Sequence, residues 1–157
     1  AQSWAELYKL PIIIAKPSNL IGPGISNGVC SILAKNIIAM EEGRAEKNLE
    51  VNNIYAQRDF IDVRDVVNAY ETLFKKGCSG EVYDIASGES RSLEEVIRMF
   101  NSLTSIKFKL TFQLQDQIEQ RVKIENKKLL DLGWTPVISF KTSLTDILNF
   151  HRQNKGI

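Results

Sequence analysis

Hydrophobic and polar positions divide the chain into segments that alternate between strand and helix patterns. The first ten residues (AQSWAELYKL) predict a helix with Trp4, Leu7 and Tyr8 on one face, and no N-cap residue precedes it. The β-branched run that follows (LPIIIAKP) favours a strand buried on both faces and ended by Pro17. The chain is therefore expected to begin inside a helix and to continue into a strand of a parallel sheet.

Later segments repeat this order of elements. After a Gly- and Pro-rich loop (NLIGPG), apolar residues recur at helical spacing from Val29 to Met40, before Gly43. Further strands are expected in RAEKNLEVNN, AQRDFIDV, EVYDIA and FKLTF, and further helices in residues 63–77, from SLEEV through Phe100, in NKKLLDLGW and in TSLTDILNFHR. The apolar positions of the helix over 63–77 are Val63, Val66, Val67, Tyr70, Leu73 and Phe74. Ser92 and Glu95 predict a capping box, and the sum is an α/β fold.

Residues 58–70 (RDFIDVRDVVNAY) contain an Arg-Asp pair twice. Asp62 is suited to cap the helix that follows, and Asp65 to bind free amides in its first turn. Arg58 and Arg64 are not needed to form that helix, because a cation in the first turn opposes the helix dipole. From the residues alone, two partners stay open for these arginines: an acid in a salt bridge, or a phosphate, which suits a planar guanidinium.

The charged and metal-binding residue types narrow the classes of partner. Twenty Lys and Arg against nineteen Asp and Glu give a net charge of +1 with the signs interspersed, so neither nucleic acid nor a membrane is expected as a partner. The two cysteines and the lone His151 lack metal-ligand spacing and a disulfide pattern, which predicts no metal site and fits a reducing cytoplasm. His151 is expected to pack or to act as a helix-end cation rather than as a catalyst.

Four segments in order carry a family resemblance. KPSNLIGPG (16–24), VNNIYAQRDFIDVRDVVNAY (51–70), GEVYDIASGESRSLEEV (80–96) and LGWTP (132–136) together resemble the second half of the extended short-chain dehydrogenase/reductases. These form the NAD-dependent epimerase/dehydratase family, which acts on nucleotide sugars. The pairing of VNN with RDFIDVRDVV is most similar to the GDP-mannose dehydratase and GDP-4-keto-6-deoxymannose reductase branch.

The resemblance implies how the chain relates to the catalytic machinery. Residues 1–157 correspond to the C-terminal nucleotide-sugar-binding portion of an extended Rossmann-type enzyme, and residues 1–24 to a remnant of its Rossmann core helix, strand and loop. The family's catalytic Tyr-x-x-x-Lys pair and its Gly-rich dinucleotide turn are expected to precede Ala1, since the sequence has neither. No catalytic residue is therefore assigned, NAD or NADP is expected in the full-length protein, and this portion alone is expected to be inactive.

The resemblance also implies roles for individual residues. In the family, a strand ending in Arg-Pro-x-Asn lies beside the nicotinamide, and its asparagine binds the diphosphate sugar. Pro17 and Ser18 are accordingly predicted to contact the cofactor and Asn19 the substrate, against the alternative that Asn19 only forms an Asx turn. Lys16 stands in place of the family's arginine and lacks its fork, so bidentate contact is not expected there.

Three further residues complete the predicted substrate site. Arg58 matches the arginine that pairs with the nucleotide diphosphate in related epimerases, and Arg121 is the candidate for a second phosphate arginine. Asn53 stands in the place of an asparagine of the branch's Gly-Asn-Leu motif, although a turn would also use asparagine there. Arg64 could reach the same ligand or a partner chain.

The implied activity of the intact protein is hydride exchange between a nicotinamide and a sugar carbon. A 4-keto-6-deoxy sugar reductase, a dehydratase and an epimerase are all compatible with the motifs, with a nucleotide diphosphate sugar as ligand and a cytoplasmic homodimer as the expected form. The alternative is a non-catalytic module, derived from that family, that holds a nucleotide sugar or a protein.

Overall fold

The structure is a computed structural model that describes residues 2–113 and 120–154, so Ala1 of the predicted first helix lies outside it. Six helices and seven strands occur within those residues. The helices are α1 (Gln2–Tyr8), α2 (Val29–Glu41), α3 (Val63–Lys76), α4 (Leu93–Leu103), α5 (Lys127–Asp131) and α6 (Phe140–Gln153). The strands are β1 (Ile14–Pro17), β2 (Asn19–Ile21), β3 (Asn48–Val51), β4 (Gln57–Asp62), β5 (Val82–Ile85), β6 (Ser90–Ser92) and β7 (Lys109–Phe112).

The strands pair mostly in parallel, which confirms the α/β prediction. β1 pairs with β5, β2 with β4 and β3 with β7, all in parallel. β6 is antiparallel to β4, so β4 lies between β2 and β6 in a three-stranded sheet. This arrangement brings the β1–β2 junction, β4 and β6 together at one place.

Two hydrophobic cores lie on opposite sides of β4. Phe60 packs into the first, which is formed mainly by α2, α4 and α6. Ile61, the next residue, packs into the second with α3, β5 and α5. Successive strand side chains point to opposite faces, so one short strand serves both cores. β4 is consequently fixed on both faces.

The sequence correctly predicted the caps of two helices. The Asp62 side chain accepts from Arg64 N at the start of α3. Ser92 and Glu95 form the capping box of α4 in both directions. α5 is shorter than the predicted two turns, and the chain after it turns at Gly133, whose φ of 90° is left-handed.

The apolar positions at helical spacing in α3 divide between the core and the solvent. Val66 and Leu73 are buried, together with Ala69, whereas Val67, Tyr70 and Phe74 are 59%, 45% and 91% exposed. The apolar residues of α3 extend around more of the helix surface than the neighbouring core can cover. The sequence pattern alone does not show which of them face the core.

The first helix presents much of its predicted apolar face to solvent. Trp4, Leu7 and Tyr8 are exposed, and the Trp4 and Tyr8 rings stack with centroids 4.9 Å apart. Of the residues of α1 whose burial is described, Ala5 is buried and anchors the helix. Among the described residues, none of the helices combines the length and the apolar character that crossing a bilayer requires.

Candidate functional site

A buried carboxylate at Asp59 organises the region where the predicted site residues meet. Its two oxygens accept hydrogen bonds from the Ser18 hydroxyl at 2.6 Å, from the Ser87 amide at 3.0 Å and hydroxyl at 2.9 Å, and from the Gly88 amide at 2.9 Å. Asp59 is 1% exposed. Four donors satisfy a charge that would otherwise be costly to bury. Asp59 therefore joins the β1–β2 junction to the loop that follows β5.

Pro17 and Ser18, the predicted cofactor contacts, lie at the carboxyl end of β1. β5 ends beside them, because Pro17 and Ile85 are paired in the parallel register. The Ser18 amide donates to Ile85 O at 2.9 Å, and its hydroxyl is engaged by Asp59. The carboxyl edge of parallel strands is where open α/β sheets bind ligands. Since both donors of Ser18 are used within the protein, this residue has no hydrogen-bond donor left to offer a cofactor.

Asn19 is held against β4 by its own side chain. Its Nδ2 donates to Asp59 O at 2.9 Å, across 40 residues of sequence. This bond is not the local Asx turn that was predicted as the alternative role of Asn19. Asn19 instead fixes β2 beside β4, and it lines a cavity at that position.

This first cavity has a volume of about 410 Å³ and lies under the loop between β2 and α2. Its wall is mainly apolar, with Ile25, Phe60 and Ile147 among its residues and the first turn of α2 at one side. Cys30 also lines it, and burial raises the pKa of this thiol to about 12. The cavity thus offers a mainly apolar wall and a protonated thiol rather than a charged nucleophile.

Gly22 is required at the entrance of that loop. Its φ of 152° belongs to the range that favours glycine, and an added Cβ would lie 2.8 Å from Val63 Cγ1. The loop can therefore approach the start of α3 closely. Gly24 has a similar φ of 148° but nothing within 4 Å of an added Cβ.

Arg64 belongs to the helix cap rather than to the candidate site. It donates to both Asp62 oxygens at 2.8 Å and to Asp146 Oδ2 at 2.8 Å. Burial acts to raise the pKa of the Asp62 carboxyl, but hydrogen bonds from Arg64 and Ser143 outweigh it, so that pKa lies below its ordinary range. Of the two partners left open, an acid is the one found.

The prediction that Asp65 binds free amides in the first turn of α3 was wrong. Its carboxylate accepts from the amides of Val137 at 3.2 Å and Ile138 at 3.0 Å, rather than from the first turn of α3. The Trp134 indole donates to Asp65 O at 3.0 Å. Asp65 therefore holds the segment after LGWTP against the start of α3, a contact across about half of the chain.

Arg58 lies on the solvent-exposed part of β4, directly opposite Arg91 of β6. The two are Cα partners in the antiparallel pair. Arg58 Nη1 donates to Gln57 O at 2.6 Å. The guanidinium of Arg91 lies 4.6 Å from the centre of the Phe140 ring and pairs with Glu89. Paired residues of an antiparallel ladder point to the same face, so both arginines are presented on one surface.

Arg121 lines a second cavity, of about 460 Å³, together with Arg91 and Lys123. The segment that carries it is tied to β6, because Val122 N donates to Ser90 Oγ at 3.1 Å. Ser90 Oγ in turn donates to Gln57 Oε1 at 3.0 Å. The second predicted phosphate arginine thus lies in a segment tied to the strand pair that carries the first.

Asn53 makes the local contact that sequence reasoning named as its alternative. Its Oδ1 accepts from Tyr55 N at 2.8 Å, two residues on. The turn shapes the approach to β4, and this bond does not place Asn53 with Asn19, Arg58 and Arg121.

Two residues of this region were missed at the level of sequence. Asp59 was named only as part of an Arg-Asp pair, although its spacing from Phe60 and Ile61 placed it in a buried stretch. Arg91 stands in the quoted segment GEVYDIASGESRSLEEV, immediately before the helix cap Ser92, and the β4–β6 pairing is what gives it a place beside Arg58.

Comparison with known proteins bears on this arrangement. Residues 1–86, more than half of the chain, match the NAD dependent epimerase/dehydratase family. The chain belongs to that family. It is 33% identical, over 93% of its length, to GDP-6-deoxy-D-mannose reductase of Pseudomonas aeruginosa, of which it covers 50%. It is 27% identical, over 98% of its length, to human dTDP-D-glucose 4,6-dehydratase, of which it covers 45%.

The fold matches that of a solved structure. The structure of RMD from Pseudomonas aeruginosa complexed with NADPH superimposes with a TM-score of 0.90 and 31% identity, over 98% of this chain and 52% of that one. The chain therefore spans about half the length of the relatives it matches. These findings confirm the predicted extended short-chain dehydrogenase/reductase fold and, for the family, the predicted NAD or NADP cofactor.

Proposed function

We propose that the chain binds a nucleotide diphosphate sugar for an NAD(P)-dependent enzyme that reduces, dehydrates or epimerises the sugar. One observation supports this proposal: three of the predicted substrate residues are linked, directly or through a sequence neighbour, to the paired residues Asp59 of β4 and Ser90 of β6. Asn19 bonds to Asp59 O, Arg58 precedes Asp59, and Arg121 precedes Val122, whose amide bonds to Ser90. Residues distant in sequence thus converge on one strand pair.

The chemistry of that place suits a diphosphate. The guanidinium groups of Arg58 and Arg91 lie on one surface of the strand pair. Each supplies forked donors that match phosphate oxygens, and charge-assisted bonds of this kind are roughly twice as strong as neutral ones. The balanced net charge of +1 gives no long-range field for an anion, so binding must come from local groups such as these. The mainly apolar 410 Å³ cavity beside Asn19 has room for a sugar or part of a nucleoside.

The described residues also fit one side of a nicotinamide site. β1 and β5 end together at Pro17 and Ile85, which is the edge where a doubly wound sheet receives a dinucleotide. Bound there, the nicotinamide would supply hydride transfer to or from a sugar carbon. The role of this chain would be to hold that sugar carbon in place, since Asn19 follows Pro17 by two residues and lines the sugar-sized cavity.

A GDP-linked 4-keto-6-deoxy sugar is the substrate we favour. The support is the 33% identity to a protein named GDP-6-deoxy-D-mannose reductase, against 27% to a protein named dTDP-D-glucose 4,6-dehydratase. Reduction of a 4-keto sugar is accordingly the preferred reaction of the whole protein, with dehydration second.

The protein is further proposed to act in the cytoplasm as a homodimer. Cys30 and Cys78 are both unpaired thiols, which fits a reducing compartment. Exposed Trp4, Leu7 and Tyr8 on α1 provide an apolar face that association could cover. Sedimentation analysis of the wild type and of Trp4→Ser would test the dimer, and a wild-type monomer at high concentration would refute it.

The substrate proposal is tested by calorimetric titration with GDP-, UDP-, dTDP- and CDP-sugars, repeated for Arg58→Ala. Binding of the GDP-sugar is expected to be tightest, and the substitution to cost about 2 kcal/mol or more. Arg98→Ala is the matched control, because Arg98 pairs with Glu94 on the surface of α4 and does not line either cavity. Unchanged affinity for Arg58→Ala in a folded protein would remove Arg58 from the site.

A further inference from the structure

We propose that Asp59 is a positioning residue, which holds the sheet that carries the predicted cofactor contacts against the sheet that carries the predicted substrate contacts. This inference rests on the proposed function and adds to it the group that sets the sugar carbon relative to the nicotinamide. Three features carry it: the place of Asp59 between the two sheets, the residues that it holds, and the full use of its carboxylate within the protein.

The chain passes from one sheet to the other at a single residue, Ser18. β1 ends at Pro17 and pairs with β5 in a two-stranded sheet, whereas β2 begins at Asn19 and pairs with β4 in the three-stranded sheet. Pro17 and Ser18 are the predicted cofactor contacts, and Asn19 is a predicted substrate contact. The backbone geometry at Ser18 therefore determines how the two ligands would lie relative to each other.

Asp59 binds this junction through both its side chain and its main chain. Its Oδ1 accepts from Ser18 Oγ at 2.6 Å, and its carbonyl oxygen accepts from Asn19 Nδ2 at 2.9 Å. Two successive residues are thus bound to one residue of β4, which lies 41 and 40 positions further along the chain. Because Arg58 directly precedes Asp59, the same short stretch of β4 also carries the predicted phosphate contact.

The same carboxylate also binds the end of the second strand of the two-stranded sheet. Ser87 N donates to Asp59 Oδ1 at 3.0 Å, and Ser87 Oγ and Gly88 N each donate to Oδ2 at 2.9 Å. Ser87 and Gly88 follow the end of β5 at Ile85. Both strands of the two-stranded sheet are therefore joined to β4 by one side chain, at the carboxyl edge where ligands bind.

Asp59 can orient the ligands without touching them. A carboxylate has about four lone-pair sites for hydrogen bonds, and four donors of Ser18, Ser87 and Gly88 occupy the Asp59 oxygens. The residue is also almost completely buried. Acid/base chemistry requires a side chain within hydrogen-bond reach of the substrate. Asp59 therefore acts through Ser18 and Asn19 and is not itself a catalytic residue.

The placement of the two sheets matters because hydride transfer depends strongly on geometry. Reduction of a 4-keto sugar adds a hydride from the reduced nicotinamide to the carbonyl carbon and a proton to the carbonyl oxygen, and the nicotinamide is oxidised. The two reacting carbons must lie about 3–3.5 Å apart, and a misplacement of about 1 Å can cost roughly a hundredfold in rate. A small rotation of one sheet against the other at Ser18 would cause such a misplacement. Loss of the Asp59 bonds is therefore expected to slow hydride transfer more than it weakens binding.

The test compares Asp59→Asn, Ser18→Ala and Ser18→Thr with wild type in the full-length protein. Single-turnover transfer from NADPH to a GDP-linked 4-keto-6-deoxy sugar is followed by the loss of nicotinamide absorbance. Asp59→Asn is expected to lower this rate roughly tenfold to a hundredfold and Ser18→Ala roughly threefold to tenfold. Ser18→Thr keeps the hydroxyl and should restore most of the loss.

Calorimetry without cofactor supplies a second measurement on the same variants, with GDP and the GDP-linked sugar as separate ligands. The affinity for GDP should stay within about twofold of wild type for Asp59→Asn and Ser18→Ala, because no phosphate contact is removed. The additional affinity that the sugar contributes should fall by about threefold, because Asn19 is less firmly placed. Asp131→Asn, on the exposed surface of α5, is the matched control and should change neither the rate nor the affinities.

The comparison of rate with affinity separates a positioning role from a structural one. The inference alone is overturned if wild type is active and folded Asp59→Asn and Ser18→Ala transfer hydride at the wild-type rate, since a merely structural carboxylate changes only stability. It is also overturned if the affinity for GDP falls as much as the rate does, because Asp59 would then support the phosphate contacts rather than orient the sugar. If wild type binds no nucleotide sugar, the proposed function and this inference fall together. Should Asp59→Asn not fold, the two Ser18 variants still decide.

Discussion

Ser31 and His151 are hydrogen-bonded to each other between α2 and α6, with Ser31 Oγ and His151 Nε2 3.0 Å apart and both residues buried. The lone histidine of the chain is therefore a packing residue, as sequence reasoning allowed, and not a helix-end cation. Burial lowers the pKa of the His151 imidazole below its ordinary value, and the nearby positive charge of Lys35 lowers it further.

This pair predicts that folding stability falls as the pH drops below about 6.5, the ordinary pKa of histidine. In that range the unfolded chain takes up a proton at His151 more readily than the folded protein does, so protonation favours unfolding. Above about 6.5 both states hold a neutral imidazole and the term vanishes. The slope due to this one group is at most about 1.4 kcal/mol per pH unit. Urea unfolding of wild type and His151→Gln between pH 7.5 and 5.5 would measure it.

The His151→Gln variant is the control for all other titrating groups. Carboxylates whose pKa is lowered in the folded state, such as Asp62 and Glu41, contribute less to folding stability at lower pH, and they do so equally in both proteins. Only the difference between the two proteins reports on His151. Equal pH dependence in both would show that this imidazole is not shielded in the folded protein.

Asp59→Asn is expected to destabilise the protein by about 2–4 kcal/mol. The substitution places an amide NH₂ among the four donors of Ser18, Ser87 and Gly88, so at least one of them loses its acceptor in a buried position. Chemical denaturation monitored by circular dichroism would give the free energy of unfolding.

Asp131→Asn provides the comparison for Asp59→Asn. Asp131 pairs with Lys127 on the exposed surface of α5, so the same change of charge and shape there should have a much smaller effect. Similar losses at the two positions would mean that the hydrogen bonds of Asp59 do not tie the β1–β2 junction to the rest of the fold.

The contrast between Asp62 and Asp59 shows what the sequence could predict. Asp62 caps the helix that begins at the next residue, a local relationship that spacing along the chain reveals. Asp59 instead binds groups 28 to 41 residues away, which come together only through the pairing of β4 with β2 on one side and with β6 on the other. Periodicity carries no information on such pairings, and so the capping residues were predicted and the central carboxylate was not.

The two arginines of the repeated Arg-Asp pair differ for a related reason. Arg64 is captured by Asp62, two residues before it, and by Asp146, 82 residues after it. Arg58 gained its place in the candidate site from a family resemblance, and the strand register puts Arg91 opposite it, a residue of a matching segment to which the sequence assigned no role. The sequence indicated that Arg64 needs an anionic partner but could not show whether that partner is an acid or a phosphate, since both suit a guanidinium equally well.

Ser92→Ala is expected to destabilise the protein by about 1 kcal/mol, because it removes the side-chain acceptor of Glu95 N and half of the capping box. Thermal unfolding would report the change. Ser102→Ala, near the other end of the same helix, is the matched variant: the Ser102 hydroxyl bonds back to the O and Sδ atoms of Met99 at an exposed position. That substitution should lie within about 0.5 kcal/mol of wild type. A larger loss at Ser102 than at Ser92 would contradict the assignment of the cap.

Gly22→Ala is expected to be more destabilising than Gly24→Ala, and this comparison tests how the loop over the 410 Å³ cavity is positioned. Both glycines have nearly the same φ, 152° and 148°, so the backbone cost of an added Cβ should be alike. Only at Gly22 would that Cβ meet Val63 Cγ1, at 2.8 Å, and a β-branched side chain in the first turn of a helix has few other rotamers to adopt. Overpacking of this kind typically costs about 1–3 kcal/mol. The difference in unfolding free energy between the two variants measures the close approach directly. Equal losses would mean that the loop does not pack against the start of α3, and the wall of the cavity would then have to be placed differently.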